Sequence, residues 1–235
     1  YLQVVLPEIN LSGESNASAG FRWLNYIGHR LIKQVEIEVG GQRIDRQYGD
    51  WMNIWTELTI PAGKRAGYDN MVGNAKPSDA TNQTGSISAA AAVRLYVPFQ
   101  FWFNRNPGLA LPLIALQYHE VKLNLDLRQL SDLWILEGVS TGNTFTSDNS
   151  QSIKLYVDYI YLDTDERRRF AQLSHEYLIE QLIYNGETSV SGLHQSFMVG
   201  FTNPCKELIW VMQLRRAQQL NQTFNYTDNI ITDKH

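Results

Sequence analysis

Two groups of residues carry side chains that serve as catalysts or metal ligands in other proteins. His119 and Glu120 are adjacent, an imidazole beside a carboxyl, the two groups most used in general acid–base catalysis. Neighbours on an extended chain point to opposite faces. The pair therefore cannot share one site, and a structural role is expected for both. Asp158, Asp163, Asp165 and Glu166 form the second group. A bound calcium ion needs several converging oxygens, but Arg167, Arg168 and Arg169 follow directly and compete for the same carboxylates, so a salt-bridged junction is expected. His29, His175, His194 and His235 are scattered without metal-ligand spacing. Cys205 is the single cysteine, which excludes a disulfide within the chain; it is expected to pack as a small buried or half-buried apolar group. No nucleophile, base and orienting group stand together. A glycosidase would need two carboxylates held about 5–9.5 Å apart across a cleft, and no pair is spaced persuasively for that. The residues point to no catalytic, cofactor-binding or metal site.

Apolar and aromatic residues carry more information. Trp51, Ile54, Trp55 and Leu58 recur at helical spacing behind Asp50, a candidate cap, and ahead of Pro61, which stops the helix. They are expected to form one packed face rather than a ligand platform. Phe101, Trp102 and Phe103 are consecutive, so they cannot all enter one core. Some should be covered by a loop or a neighbouring subunit.

The elements around these residues read mostly as strands. Val35, Ile37 and Val39 alternate with Gln34, Glu36 and Glu38, then Gly40-Gly41 suits a tight hairpin turn and 42–48 forms the return strand. Val93, Leu95, Val97 and Phe99 alternate in the same way, as do Val121, Leu123, Leu125 and Leu127, and Leu208, Trp210, Met212 and Leu214. Residues 153–162 are apolar on both faces and read as a central, doubly covered strand. Short helices are expected at 113–118 after Pro112 and from Thr164, where Asp165 and Glu166 favour a helix N-terminus. Leu178, Ile179, Leu182 and Ile183 have helical spacing, although Asn185-Gly186 is a hairpin signal. Residues 62–89 and 138–152 read as long polar loops. Many strands, long connections and few helices indicate an all-β sandwich or jelly roll.

Composition narrows the function further. Among the 235 residues 43% are hydrophobic and 11% aromatic, while only 19% are charged, below the roughly 25% of an ordinary soluble domain. Sparse charge with many aromatics suggests surface hidden in contacts. The net charge of −4 does not suit a nucleic-acid binder. No apolar run reaches the roughly 18 residues of a membrane span. Five N-glycosylation motifs occur, at Asn10, Asn16, Asn82, Asn221 and Asn225, and the motif is short and often unused. Tyr1 already reads as mid-strand, so an upstream portion is expected.

Several ordered blocks resemble the major capsid proteins of large nucleocytoplasmic DNA viruses, nearest to the phycodnavirus, mimivirus and iridovirus group. They are Trp23-Leu24-Asn25-Tyr26-Ile27-Gly28, Val35-Glu36-Ile37-Glu38-Val39-Gly40-Gly41-Gln42-Arg43-Ile44-Asp45, Tyr48-Gly49-Asp50-Trp51, Leu95-Tyr96-Val97-Pro98 with Phe101-Trp102-Phe103-Asn104-Arg105-Asn106-Pro107, Tyr156-Val157-Asp158-Tyr159-Ile160-Tyr161-Leu162-Asp163 with Glu166-Arg167-Arg168-Arg169, and Asn203-Pro204-Cys205-Lys206-Glu207-Leu208-Ile209-Trp210. The resemblance implies a double jelly roll: residues 1–163 as the first jelly roll lacking its N-terminal strand, 164–174 as a junction, and 175–235 as the start of a second, truncated one. It also implies a strand at 176–184, against the helical spacing there, and the Asn185-Gly186 turn agrees with the strand. The implied function is structural, a homotrimeric, pseudo-hexagonal capsomer of an icosahedral shell. Its partners would be itself, neighbouring capsomers and minor capsid proteins, with no direct nucleic acid and no cofactor. The implied location is the virion, assembled in the host cytoplasm. Assembly there keeps the chain from the usual glycosylation machinery, so the five motifs are expected to be unoccupied. Trp51, Ile54, Trp55, Leu58, Phe101, Trp102, Phe103 and Trp210 are the expected structural residues. The rival reading is a carbohydrate-binding β-sandwich, suggested by the aromatics and polar loops.

Overall fold

The computed structural model describes residues 1–12, 20–74, 82–84, 89–90, 92–137, 144–147, 152–219 and 222–227. The elements run in the order β1 (Leu2–Leu6), β2 (Ile9–Ser12), β3 (Gly20–Trp23), α1 (Ile27–Leu31), β4 (Ile32–Val39), β5 (Gln42–Tyr48), α2 (Gly49–Thr59), α3 (Ala62–Val72), β6 (Asn82–Thr84), β7 (Ala89–Ala90), β8 (Val93–Val97), α4 (Trp102–Arg105), β9 (Val121–Leu127), β10 (Trp134–Glu137), β11 (Thr144–Ser147), β12 (Ser152–Leu155), α5 (Thr164–Gln172) and α6 (Arg215–Gln219). The described strands pair antiparallel, in the orders β12-β1-β8, β11-β2-β7, β10-β3-β6 and β5-β4-β9.

The first two groups are one long ribbon. Leu6 faces Val93 and Ile9 faces Ala90: three residues onward on one strand match three back on the other, so the register continues across Pro7. Proline lacks the N–H that a ladder needs, which accounts for the break in pairing there. On the other side the register slips by one between Leu2↔Leu155 and Ile9↔Ser147.

The β4–β5 hairpin closes through Gly40 and Gly41, both with positive φ (60° and 82°), the conformation a two-residue turn requires and only glycine adopts freely. Val35 and Ile37 are buried while Lys33 is exposed, and β9 alternates half-buried Val121, Leu123, Leu125 and Leu127 with exposed Lys122, Asn124 and Asp126. The core joins β12-β1-β8 to β5-β4-β9 through Leu2, Val4, Leu6, Leu95, Val97, Ile32 and Val35, together with Phe101 just beyond β8. The described strands thus form the all-β sandwich expected of a jelly roll, with short helices set between them.

Several sequence expectations fail here for physical reasons. Residues 62–72 form helix α3, not loop; Gly73 ends it at φ 73° and Arg65 pairs with Asp69 one turn on at 3.1 Å. Residues 113–118 form successive turns rather than a helix. β12 stops at Leu155 and lies at a sheet edge instead of a centre. Residues 156–162, 176–184 and 208–214 form neither strand nor helix, because no described residues offer them a continuous backbone ladder. Without such a partner, alternation in the sequence produces no strand. By contrast α5 begins as expected, with Asp163 as its cap, accepting from the Glu166 N–H at 2.8 Å.

Candidate assembly surface

The consecutive aromatics divide between core and rim. Phe101 is fully buried and Trp102 nearly so, while Phe103 is partly buried and stacks on Phe101 at 5.4 Å. Asn104 anchors the turn by donating to the Phe99 carbonyl at 2.9 Å.

Helix α2 packs through a different face from the one its spacing predicts. Gly49, Met52, Asn53 and Thr56 are buried; Trp51, Ile54 and Trp55 are half-buried, and Leu58 is 62% exposed. Asp50 lies in the first turn but does not cap; Tyr48 holds the cap position. The inner face is set by polar partners. The Thr56 hydroxyl donates to the Met52 carbonyl at 2.6 Å and lies 3.1 Å from the Tyr68 hydroxyl. A Cβ on Gly49 would stand 2.1 Å from the His29 carbonyl oxygen, so α2 meets α1 where only glycine fits. Trp51 and Trp55 lie together at 5.5 Å, and the Arg105 guanidinium sits 4.8 Å over the Trp55 ring.

Sequence reasoning did not single out two buried polar centres. His29 is fully buried, with Nε2 2.8 Å from the Tyr68 hydroxyl and its ring stacked against Tyr26 at 5.8 Å. Desolvation drops its pKa to about 3, with Glu57 opposing and Arg65 adding to the effect. Beside it Arg65 binds Glu57, Asp69 and the Tyr26 hydroxyl; hydrogen bonding to Arg65 holds the Glu57 carboxyl below its usual range. The second centre is Asp45, on the inward face of β5 with Gln47. Burial pushes its carboxyl up, and hydrogen bonds from the Leu182 N–H, Gln47 and the Arg46 N–H oppose this. The signal was present: Asp45 and Gln47 share one face of a strand whose fellow β4 is apolar.

The groups first considered for chemistry do not converge. His119 is exposed beside Gly40, and Glu120 turns to Lys122 at 3.0 Å. Asp163 caps α5 and Asp165 faces Arg168 at 3.5 Å. Among the described residues no three His, Cys, Asp or Glu side chains gather to hold a metal ion. No described helix is long and apolar enough to cross a membrane. Cys205 is exposed rather than buried, since the stretch around it lies outside the packed core. Asn225 accepts from the Thr227 N–H at 3.1 Å and hydroxyl at 2.7 Å; Asn16 and Asn221 lie outside the described residues.

What the surface offers instead is apolar area. Val157, Tyr159, Ile160 and Tyr161 are 56–92% exposed, and further along Leu193, Met198, Trp210 and Met212 are 73–101% exposed. Scattered apolar residues on a surface are ordinary, but exposed apolar side chains this large and numerous form a candidate contact surface.

The relatives of the chain are consistent with that. The family described as "Major capsid protein N-terminus" matches residues 1–163, and "Large eukaryotic DNA virus major capsid protein" matches 166–235. The chain is 48% identical to the major capsid protein of Phaeocystis pouchetii virus over 97% of its own length and 51% of that protein's. It is 38% identical to capsid protein 1 of Acanthamoeba polyphaga mimivirus, covering 93% of this chain and 38% of that protein. A quasi-atomic model of the PBCV-1 virus capsid superposes with TM-score 0.54 at 38% identity, over 76% of this chain and 39% of that one. The chain spans about half the length of the first two curated relatives it matches. These relatives are capsid proteins, which are structural and not enzymes. With both family models covering nearly all of its length in order, the chain belongs to the major capsid proteins of large eukaryotic DNA viruses.

Proposed function

We propose that this chain serves as a structural capsid protein of an icosahedral virion, assembled in the host cytoplasm, with no cofactor and no catalytic role. The observation that carries the reading is the 48% identity to a viral major capsid protein over 97% of the chain. The exposed apolar run supports it. In this reading residues 1–163 form one jelly roll, 164–174 a junction in which α5 sits, and 175–235 the start of a second. Two similar lobes per subunit give a trimer six lobes and a pseudo-hexagonal outline that tiles a flat facet. The partners are two further copies, neighbouring capsomers and minor capsid proteins. Mass photometry of the purified whole protein should show a species at three times the subunit mass, and electron microscopy a hexagonal outline. A stable monomer at micromolar concentration would overturn the proposal, and a monomer that also binds a glycan array would favour a carbohydrate-binding module instead.

A further inference from the structure

Strand β5 ends the order β5-β4-β9, so among the described residues one of its edges has no strand beside it. Such an edge is a template for pairing with another chain unless something covers it. Within β5 the register against β4 jumps: Ile37 faces Asp45 and Glu38 faces Arg43, which leaves Ile44 as the extra residue of a bulge. A bulge turns its carbonyl and the following side chain away from the regular ladder. Both turned groups are engaged by the same stretch of chain. The Gln181 side-chain amide donates to the Ile44 carbonyl, and the Leu182 N–H donates to Asp45 Oδ1 at 3.0 Å. Two residues on, Tyr184 packs on Tyr48 at 5.2 Å. On the near side Ile179 touches the core, and Glu180 pairs with Arg105 at 3.1 Å and with Lys206. The contacts advance in the same direction, 181 with 44, 182 with 45 and 184 with 48, so the segment runs parallel to β5 without a fixed residue-for-residue register. It forms no strand there, and its attachments involve side chains.

We propose that the bulged edge of β5 is a docking surface for the extended segment 179–184 of the same chain, with Asp45 as its latch. The bulge explains why an acidic residue occupies a buried position in β5: its carboxylate takes the place of the backbone acceptor that a regular ladder would supply. A backbone ladder binds any extended chain of suitable length, whereas this arrangement asks for a glutamine followed by a free N–H and an aromatic ring at set spacing. It therefore favours its own segment, which covers the bulged part of the edge around Ile44 and Asp45. The inference does not depend on the capsid reading.

Hydrogen–deuterium exchange on the intact chain, resolved to single residues by fragmentation, tests it. Leu182 is expected to exchange slowly although it lies in no strand. Asp45→Ala should speed its exchange about tenfold or more, in line with the loss of a hydrogen bond to a charged acceptor, while β4 and β9 keep their protection. Asp45→Asn retains an acceptor oxygen and should have a smaller effect. Gln181→Ala, at an exposed position that does not threaten folding, should also speed Leu182 several-fold because the strap is held at both points. Unprotected exchange of Leu182 in the parent, or exchange unchanged in Gln181→Ala with the sheet intact, would overturn the proposal.

Discussion

Acid should weaken this sandwich through His29. Its ring is enclosed by Tyr26, Tyr68 and Phe224, and burial holds its pKa near 3 against the ordinary 6.5. In the unfolded chain the imidazole takes a proton as pH falls through 6.5; in the folded protein it stays neutral down to about 3. Between those values the unfolded state binds more protons, so stability falls by about 1.4 kcal/mol per pH unit. From pH 7 to 4.5 the loss integrates to about 2.5 kcal/mol, against a typical total of about 5–15 kcal/mol for a domain. His29→Gln cannot titrate. It will be less stable at neutral pH, because the enclosed site is built for a ring, but its stability should change less between pH 7 and pH 4.5 than the parent's, by that same amount. Urea denaturation at both pH values measures the difference directly. If parent and variant lose equal stability over the interval, the burial argument for His29 is wrong.

Gly49→Ala should destabilise by about 3 kcal/mol or more, because the added carbon meets two backbone carbonyls that cannot swing aside; a parent-like melting curve would refute the close approach of α1 and α2. Phe101→Ala should cost about 3–5 kcal/mol and Leu58→Ser less than about 0.5 kcal/mol, a contrast that differential scanning calorimetry resolves and that helical spacing alone would not predict. Trp55→Ala should fall between them, with about 1 kcal/mol of its cost attributable to Arg105 and absent when Arg105 is already alanine.

The hairpin β4–β5 and strand β9 were legible because each buries one face and is paired within the chain, so period-two alternation and a glycine pair sufficed. The aromatic run at 101–103 was legible as a divided set. Helix α3 was hidden because its sequence has no apolar stripe; ion pairs with Glu57 and Asp69 and the Tyr68 hydroxyl hold it in place. On α2 the apolar spacing pointed to Leu58, but hydrogen bonds from Thr56 and the fit of Gly49 decided which side turned inward. Residues 153–162 and 208–214 look like strands in sequence, yet a strand is a relation between two segments, and the described residues supply only β1 beside β12. His29 and Asp45 escaped notice because an isolated histidine or a strand aspartate resembles a solvated residue until its surroundings are known.

The pairing of β1 fixes a timetable for folding. Its two neighbours are β8, starting 91 residues after the start of β1, and β12, which ends at Leu155. While the chain is being synthesised the β4–β5 hairpin can close as soon as it emerges, but β1 waits for almost the whole sandwich. At about 5–20 residues per second the full delay lasts roughly 10–30 s; both edges of β1 are open until β8 is made, and one edge stays open until β12 follows. Pairing across such separations is also slow once the partners exist. The nascent chain is therefore vulnerable at β1, and a chaperone or a slowed ribosome would help most before residue 155 leaves the tunnel.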